Sequence, residues 1–382
     1  MGFPASEYSA RTRNAQRLMA EHDVHALLLT TEPEVRYFTG FLTRFWESPT
    51  RPWFVIVPLA GDPIAVIPSI GAHLMGQTWV SDIRTWQSPN YNDDGVSLLA
   101  DTLKEIVPAQ GSVGLADQIE SHLRMPLVDL RKLESALGNR KISSDHGITA
   151  RLRLVKSEAE IDKITTAAGI ADRSFDRVPE IVSAGVPLSQ VFRDFQRLAL
   201  EEGADWVPYL AGGAGQGGYG DVISPATDIP LQKGDVLMLD TGLVHDGYFC
   251  DFDRNYSIGP PSAGVRQAHH KLIEATQAGF EAARPGATMS DLFHAMNGIA
   301  NPDAVGSDGG RLGHHLGMQL TEGPSIIPQD HTLLVPGMVL TLEPGVSLPE
   351  SKIMVHEEDI VITEEGARYL STPQGTDIRV IG

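Results

Sequence analysis

The sequence predicts two domains: an α/β module over residues 1–148, and a larger α+β domain over residues 149–382 that carries an internal pseudo-twofold duplication. Three observations lead there. The chain has 382 residues, more than one compact core commonly takes when domains run roughly 100 to 200 residues. Its first third alternates helical and strand patterns, as α/β layers do. Its second part echoes itself: residues 185–192 (GVPLSQVF) and 286–293 (GATMSDLF) share Gly, a Leu or Met, Ser, a Val or Leu, and Phe at equal offsets. A chance match is the plain alternative. The flanks favour duplication, because each copy follows a long amphipathic helix and opens a shorter one.

The elements follow in order. Residues 6–22 are helical in pattern, and 26–30, 53–59 and 63–68 are short apolar runs bounded by Pro, Gly and Asp. A helix over 96–107, a strand over 112–116 and a helix over 128–137 complete the first module. The boundary comes where a basic stretch (Arg151, Arg153, Lys156) meets Ser157. Ser157 and Glu160 form a capping-box pattern, and Ile161, Ile164, Ala168, Ala171 and Phe175 share one helical face, which predicts a helix over 157–182. A second long helix is predicted over 264–283.

Composition narrows the partners. Thirty Lys+Arg against 49 Asp+Glu leave a net charge of −19, which argues against nucleic acid or an anionic membrane surface. No run approaches the ~18 apolar residues of a membrane span. The opening MGFPASEYSA lacks the basic and apolar regions of a signal peptide, so a cytoplasmic protein is expected. The single cysteine, Cys250, fits a reducing compartment and leaves no Cys-based zinc cluster or redox pair.

The chemistry concentrates in residues 236–258, where two apolar runs flank Asp246-Gly247, a hairpin turn signal. A two-residue loop puts Asp240, Asp251 and Asp253 on one face and Cys250, Phe252 and Arg254 on the other. A solvated face would be the plain explanation, but Leu237, Leu239 and Tyr256 read as buried. Carboxylates crowded in such a setting repel one another unless cations neutralise them. Downstream stand His314 and His315 between glycines, Glu343 at the end of an apolar strand over 338–342, and a strand over 353–363. By alternation that last strand turns His356 and Glu358 one way, Glu357 and Asp359 the other. Oxygen-rich groups with one imidazole suit a pair of divalent ions. Two other motifs are decoys. The GxGxxG over 213–218 is followed by no helix, and His269-His270 sits in an amphipathic helix as structural histidines do.

At this point the residues resemble the pita-bread metallohydrolases: prolidase, aminopeptidase P, methionine aminopeptidase and creatinase. Residues 36–41 (RYFTGF) look like a segment of the family's creatinase/prolidase-like N-terminal domain. The resemblance assigns Asp240, Asp251, His314, Glu343 and Glu358 as ligands of two divalent metal ions (Mn, Fe, Co or Zn). It implies hydrolysis by a water that the two ions share, with Glu343 relaying the proton, on a short Xaa-Pro peptide or another small-molecule substrate. It also implies a homodimer, in which residues 42–54, rich in aromatics and Arg, rim the partner's site. Departures from the family pattern mark further candidates. Thr321 stands where peptidases carry a second histidine, Val222 or Ile223 where they carry another, Asp253 in place of Thr, and His356 in place of Arg. Thr321, Asp253 and His356 are therefore candidate catalytic residues, the latter two to grip a cationic or amide-bearing substrate. His315, where the family has Gly, is expected to narrow the pocket. The alternative activity is a non-peptidase reaction on a small polar metabolite, as in the creatinase, ectoine hydrolase or dimethylsulfoniopropionate lyase branches.

Overall fold

The structure, a computed structural model, describes residues 2–48, 51–302 and 310–382. It divides into two compact units, Met1–Arg153 and Leu154–Gly382. No helix among the described residues is long and apolar enough to cross a membrane.

The first unit runs α1 (Ala5–Glu21), β1 (Ala26–Leu29), α2 (Glu32–Thr39), β2 (Phe54–Pro58), β3 (Ile64–Pro68), α3 (Ala72–Met75), β4 (Asp82–Trp86), α4 (Val96–Ile106), β5 (Ser112–Leu115), α5 (Leu127–Ala136) and β6 (Lys141–Ser144). Its sheet is ordered β4-β3-β2-β1-β5-β6, parallel at β3/β4, β1/β5 and β5/β6 and antiparallel at β1/β2 and β2/β3. The apolar runs become the central strands because both their faces are covered. Leu28, Phe54, Ile56 and Val66 pack with Leu99 and Leu103 of α4 in one core. Within the segment over 42–54, Pro49 and Thr50 lie outside the described residues. Its two tryptophans turn inward while Phe45 is 39% exposed: Trp53 packs on Phe41 and Trp46, with ring centroids 5.3 and 6.0 Å away, and Arg124 stacks on Trp46. The two tryptophans are thus core residues of their own unit, contrary to the rim expected from their composition.

After α6 (Ile148–Leu154), the second unit opens with α7 (Glu158–Asp176) and α8 (Leu188–Glu202). The predicted capping box is present at Ser157 and Glu160. α7 ends six residues short of the predicted 182, because Pro179 within the following 3-10 turn has no N–H to continue the ladder. Next come β7 (Trp206–Gln216), β8 (Asp235–His245), β9 (Tyr248–Phe249), β10 (Phe252–Ile258), α9 (Ala263–Ala282) and α10 (Met289–Ala300). The chain closes with β11 (His314–His315), β12 (Glu322–Ser325), β13 (Val339–Leu342), β14 (Gly345–Leu348), β15 (Lys352–Val355), β16 (Glu358–Ile362), β17 (Ala367–Tyr369) and β18 (Arg379–Ile381). These strands form one sheet ordered β18-β10-β8-β7 with β9 beside β8, a second ordered β12-β11-β13-β16-β17, and the pair β14-β15.

Two local features position the site, and a third concerns the echoing segments. Asp246 and Gly247 both have positive φ (44° and 81°), the signature of the tight turn predicted there, and this sets Asp240 directly opposite Asp253 across β8 and β10. The single strand predicted over 353–363 is two strands, broken at His356 and Glu357. Their N–H groups leave the ladder and donate to Pro344 O (3.1 Å) and to Asp253 Oδ1 (3.1 Å). Finally, the two echoing segments are bonded alike. Gly185 N donates to Leu231 O (2.8 Å) as Gly286 N does to Leu334 O (3.0 Å), and Leu188 N to Ile229 O (3.2 Å) as Met289 N does to Thr332 O (3.2 Å).

Candidate metal centre

Five acidic or imidazole side chains meet where the two larger sheets of the second unit approach. β8 supplies Asp240, the lead-in to β10 supplies Asp251, and β11 supplies His314; Glu343 follows β13, and Glu357 sits in the break between β15 and β16. The tight set is Asp251, His314 and Glu357, each with a ligand atom within 4.8 Å of the others, all three buried. Asp240 and Glu343 flank this set. Glu343 is within hydrogen-bonding reach of Glu357, and the charge of Asp240 acts on Asp251 and Glu357.

Glu357, not Glu358, turns to the cluster. The motif resemblance assigns Glu358, but Glu358 has both oxygens engaged elsewhere: by Arg254 Nη2 (3.0 Å), Ser371 Oγ and His356 Nε2 (3.2 Å), and by Gln374 N (2.8 Å). A shift of one residue along an extended segment sends the side chain to the opposite face. The acidic pair at 357 and 358 lets the motif be laid down in either register. Alternation pairs Glu358 with His356, and the two do touch; which face meets the cluster is set by the break at His356 and Glu357, which the strand pattern does not announce.

The candidate catalytic roles of Asp253 and His356 are corrected as well. Both are 1% exposed, and neither lines the cavity. His356 is held between Asp253 Oδ1 and Glu358 Oε1, 3.2 Å from each. Burial opposes its protonation, but these two carboxylates outweigh burial and raise it to about 8. The pair sits behind Glu357, whose backbone N–H it fixes through Asp253, and is out of a substrate's reach. Thr321 is half-buried and accepts from Arg311 Nη2 (3.3 Å). His315 is directed away from the cavity, with Nε2 2.8 Å from Leu154 O and 2.9 Å from Lys156 Nζ, so it does not narrow the pocket. His269, 0% exposed, bonds Gly375 O, and Cys250 is a buried thiol whose Sγ lies 3.8 Å from Leu243 O.

The electrostatics ask for a cation. Burial, with the neighbouring Asp253 and Glu343, pushes Asp240 up to about 8; burial also pushes Glu343 to about 7 against the pull of Arg311. Burial and mutual repulsion raise Asp251 and Glu357 well above the carboxylate range. Glu358 goes the other way: burial works against its charge, but Arg254 and His356 hold it below the usual value. Asp240 Oδ1, Asp251 Oδ1 and Glu357 Oε1 are buried without a hydrogen-bond partner among the described residues, an arrangement that is costly unless a ligand completes it. Burial lowers His314 to about 3, which keeps it neutral. Its Nδ1 faces the His315 carbonyl at 3.1 Å. A carbonyl only accepts, so the proton sits on Nδ1 and Nε2 keeps its lone pair, 3.3 Å from Asp251. Acid oxygens and one neutral imidazole make a donor set suited to a divalent metal.

A cavity of about 520 Å³ opens onto the cluster. Asp240, Glu343 and Glu357 form its acidic wall, and Tyr209 donates to Asp240 Oδ2 (3.0 Å). Val222 and Ile223, at the positions where peptidase histidines were sought, line it with apolar surface, and Ile223 is 84% exposed. Arg311 also lines it. Sequence reasoning passed over Arg311 and Tyr209, because a single Arg in a glycine-rich loop and a Tyr in a strand carry no pattern of their own.

Comparison with known proteins agrees with this geometry. Residues 162–365 match the model of metallopeptidase family M24, and residues 11–155 match the creatinase/prolidase N-terminal domain. The chain is 29% identical over 371 residues to a probable dipeptidase PepE of Mycobacterium tuberculosis, covering 96% of this chain and 94% of that protein. It is 29% identical over 275 residues to the Xaa-Pro dipeptidase of Pyrococcus furiosus, covering 71% and 76%. Among solved structures, dipeptidase PepE from Mycobacterium ulcerans superposes with a TM-score of 0.83 at 27% identity over 100% of both chains. Prolidase from Thermococcus sibiricus, 22% identical, shares the fold with a TM-score of 0.87 over 98% and 99%. An N-terminal creatinase/prolidase domain, a second unit that gathers buried acids around one histidine, and a family match spanning more than half the sequence place this chain in the M24 metallopeptidase family, as a metal-dependent hydrolase.

Proposed function

We propose that the protein is a dinuclear metal hydrolase that cleaves short Xaa-Pro peptides. The observation that carries this reading is the set of unpartnered buried acid oxygens around neutral His314, opening on a cavity of small-ligand size. Asp251, His314 and Glu357 would hold one divalent ion, and Asp240 and Glu343 would extend the set to a second. Divalent ions in such a site supply Lewis acidity and activated water at neutral pH. The protein's own part is to hold, orient and move protons. Asp253 fixes the Glu357 backbone, His315 O fixes the His314 tautomer, and Tyr209 steadies Asp240. Glu343 takes a proton from the attacking water and returns it to the departing nitrogen. The names of the dipeptidases and prolidases it resembles support the substrate class.

A second reading has its own observation. Val222 and Ile223 line the cavity with hydrocarbon and Thr321 meets Arg311, so no histidine donor stands at these positions to steady a developing oxyanion. Such a donor is commonly worth about 10² to 10³ in turnover, and its lack favours a small polar metabolite over a peptide. The deciding experiment assays manganese-loaded and chelated protein on Ala-Pro, Gly-Pro and an Xaa-Pro tripeptide, beside creatine, ectoine and dimethylsulfoniopropionate. Metal-dependent hydrolysis of Ala-Pro approaching ~10 s⁻¹, the enzyme median, supports the peptidase. The Glu343→Gln variant is expected to lose about 10²-fold or more. Turnover of a metabolite with inert Xaa-Pro peptides would replace the first reading by the second.

Three wider expectations belong to the same proposal. The paired hydrogen-bond patterns at Gly185 and Gly286 support a duplicated half-domain. The lone buried Cys250 supports a cytoplasmic setting, and the family resemblance supports a homodimer.

A further inference from the structure

No histidine stands at the positions sought for an oxyanion donor: Val222 and Ile223 line the cavity with hydrocarbon, and Thr321 meets Arg311. A carbonyl attacked beside buried acids gathers negative charge in repulsive company, so hydrolysis here asks for a donor close by. Among the described residues, two donors that line the cavity bond to acids of the cluster. Arg311 is one, and it is engaged: Nε donates to Glu343 Oε1 (3.1 Å) and Nη2 to Thr321 Oγ1 (3.3 Å). Tyr209 is the other, with its O–H on Asp240 Oδ2 (3.0 Å).

The strands aim this phenol. Tyr209 pairs with Gly242 across β7 and β8, as Ala211 pairs with Asp240. Residues two apart on a strand share a face, so the ring and the Asp240 carboxylate form a diagonal pair. Gly242 leaves the ring its space: a Cβ there would lie 3.3 Å from Tyr209 Cβ and 2.1 Å from Leu320 Cδ1. Just before Tyr209, β7 takes one residue more than β8, from Trp206 opposite Val244 to Tyr209 opposite Gly242. The bulge holds Pro208, which has no N–H to give the ladder, and bulges re-aim side chains beside active sites.

Tyr209 also differs from the residues that only support the cluster. Asp253 and His356 are sealed behind Glu357, 1% exposed and away from the cavity, whereas Tyr209 is half-buried and on the cavity wall. The phenol hydrogen turns about its C–O bond, so it can pass from Asp240 to a stronger acceptor while the ring stays in place. With the charge of Asp240 shared by divalent ions, a developing oxyanion is that stronger acceptor.

We infer that Tyr209 is a catalytic residue, the donor that steadies the oxygen of the carbonyl under attack where no imidazole does so. The inference rests on the hydrolase reading given above and names a group that reading lacks. Tyr209 lends a hydrogen bond and keeps its proton, as a phenol titrating near ~10 does at neutral pH, while Glu343 moves the proton of the water.

Tyr209→Phe removes the O–H and keeps the ring. Manganese-loaded wild type and variant are compared for kcat and KM on whichever of the peptides and metabolites named above is turned over. Calorimetry measures their affinity for manganese, for proline and for the phosphinate analogue of Ala-Pro. In the variant kcat is expected to fall about 10²- to 10³-fold, with KM, manganese affinity and melting temperature unchanged. The phosphinate, which carries the tetrahedral charge, should weaken by a like factor, and proline should not. A variant with wild-type kcat overturns the inference. So does a parallel loss of manganese affinity and kcat, which would make Tyr209 a support of Asp240 alone. The two readings fail separately. Turnover of a metabolite alone sinks the peptidase, and the variant's kcat on that metabolite still decides the role of Tyr209. Ala-Pro cleaved equally by wild type and Tyr209→Phe keeps the peptidase and removes the donor, and a loaded protein inert on every compound sinks both.

Discussion

Around Glu358 the protein has arranged a guanidinium, a hydroxyl, an imidazole and a backbone N–H, while one residue earlier Glu357 keeps an oxygen with no partner among the described residues. The two glutamates therefore respond differently to loss of charge. Glu357→Gln is expected to abolish tight metal binding and activity with the fold intact, since it removes repulsion from a crowded acid cluster. Glu358→Gln leaves Arg254 and His356 without their shared partner, at a cost of ~3 kcal/mol as for a broken buried ion pair, while metal stoichiometry persists. Metal analysis and denaturant titration of both variants distinguish these outcomes. The reverse pattern would return the ligand role to Glu358. His356, charged between two carboxylates, belongs to the support of Glu357; its departure from the family's Arg had marked it as a substrate contact.

At the scale of elements, β11 is only two residues long, yet it delivers His314 to the acid cluster and His315 to Lys156 and Glu322. Gly313 makes this possible. Its φ of 143° and the approach of Thr341 O, which a Cβ would meet at 2.2 Å, leave no room for a side chain. Gly313→Ala should cost about 2 kcal/mol or more and weaken metal binding, because the strand must shift to relieve the clash; a variant of wild-type stability and affinity would show that β11 tolerates displacement. Elements were legible in the sequence where one periodicity dominated. The helices α1, α4 and α9 and the strands β1 to β3 are apolar runs or amphipathic faces bounded by breakers, and Asp246-Gly247 announced its turn. β4 was not legible, since DIRTW is half-buried and carries two charges in five residues. Nor was the break at His356 and Glu357, where backbone donors leave the ladder for Pro344 and Asp253, partners far away in sequence. The site was legible to the extent that its residues sit at the ends of apolar strands. Which of two adjacent acids faces the cluster depended on a register that the motif alone could not set.

For the whole molecule, the acid cluster ties metal, protons and stability together. Without metal, Asp240 at about 8 and Glu343 at about 7 hold protons that the unfolded chain releases near pH 4. The folded state thus binds more protons between those limits, and this contribution to stability is lost as pH rises through 7 and 8. A bound divalent ion displaces those protons. Metal loading at pH 7 is therefore expected to release protons, read as a binding heat that changes with the buffer's ionisation enthalpy, and to raise the melting temperature more at pH 8 than at pH 6. A buffer-independent heat would show that the acids are already ionised. Ile223 has a consequence of another kind. It stands 84% exposed at the cavity, a large hydrocarbon surface kept hydrated until something enters. Covering it removes ordered hydration, so association carries a negative heat-capacity change and becomes steadily more enthalpy-driven on warming. The free protein thus holds in its cavity mouth a temperature dependence that its acids alone would not give.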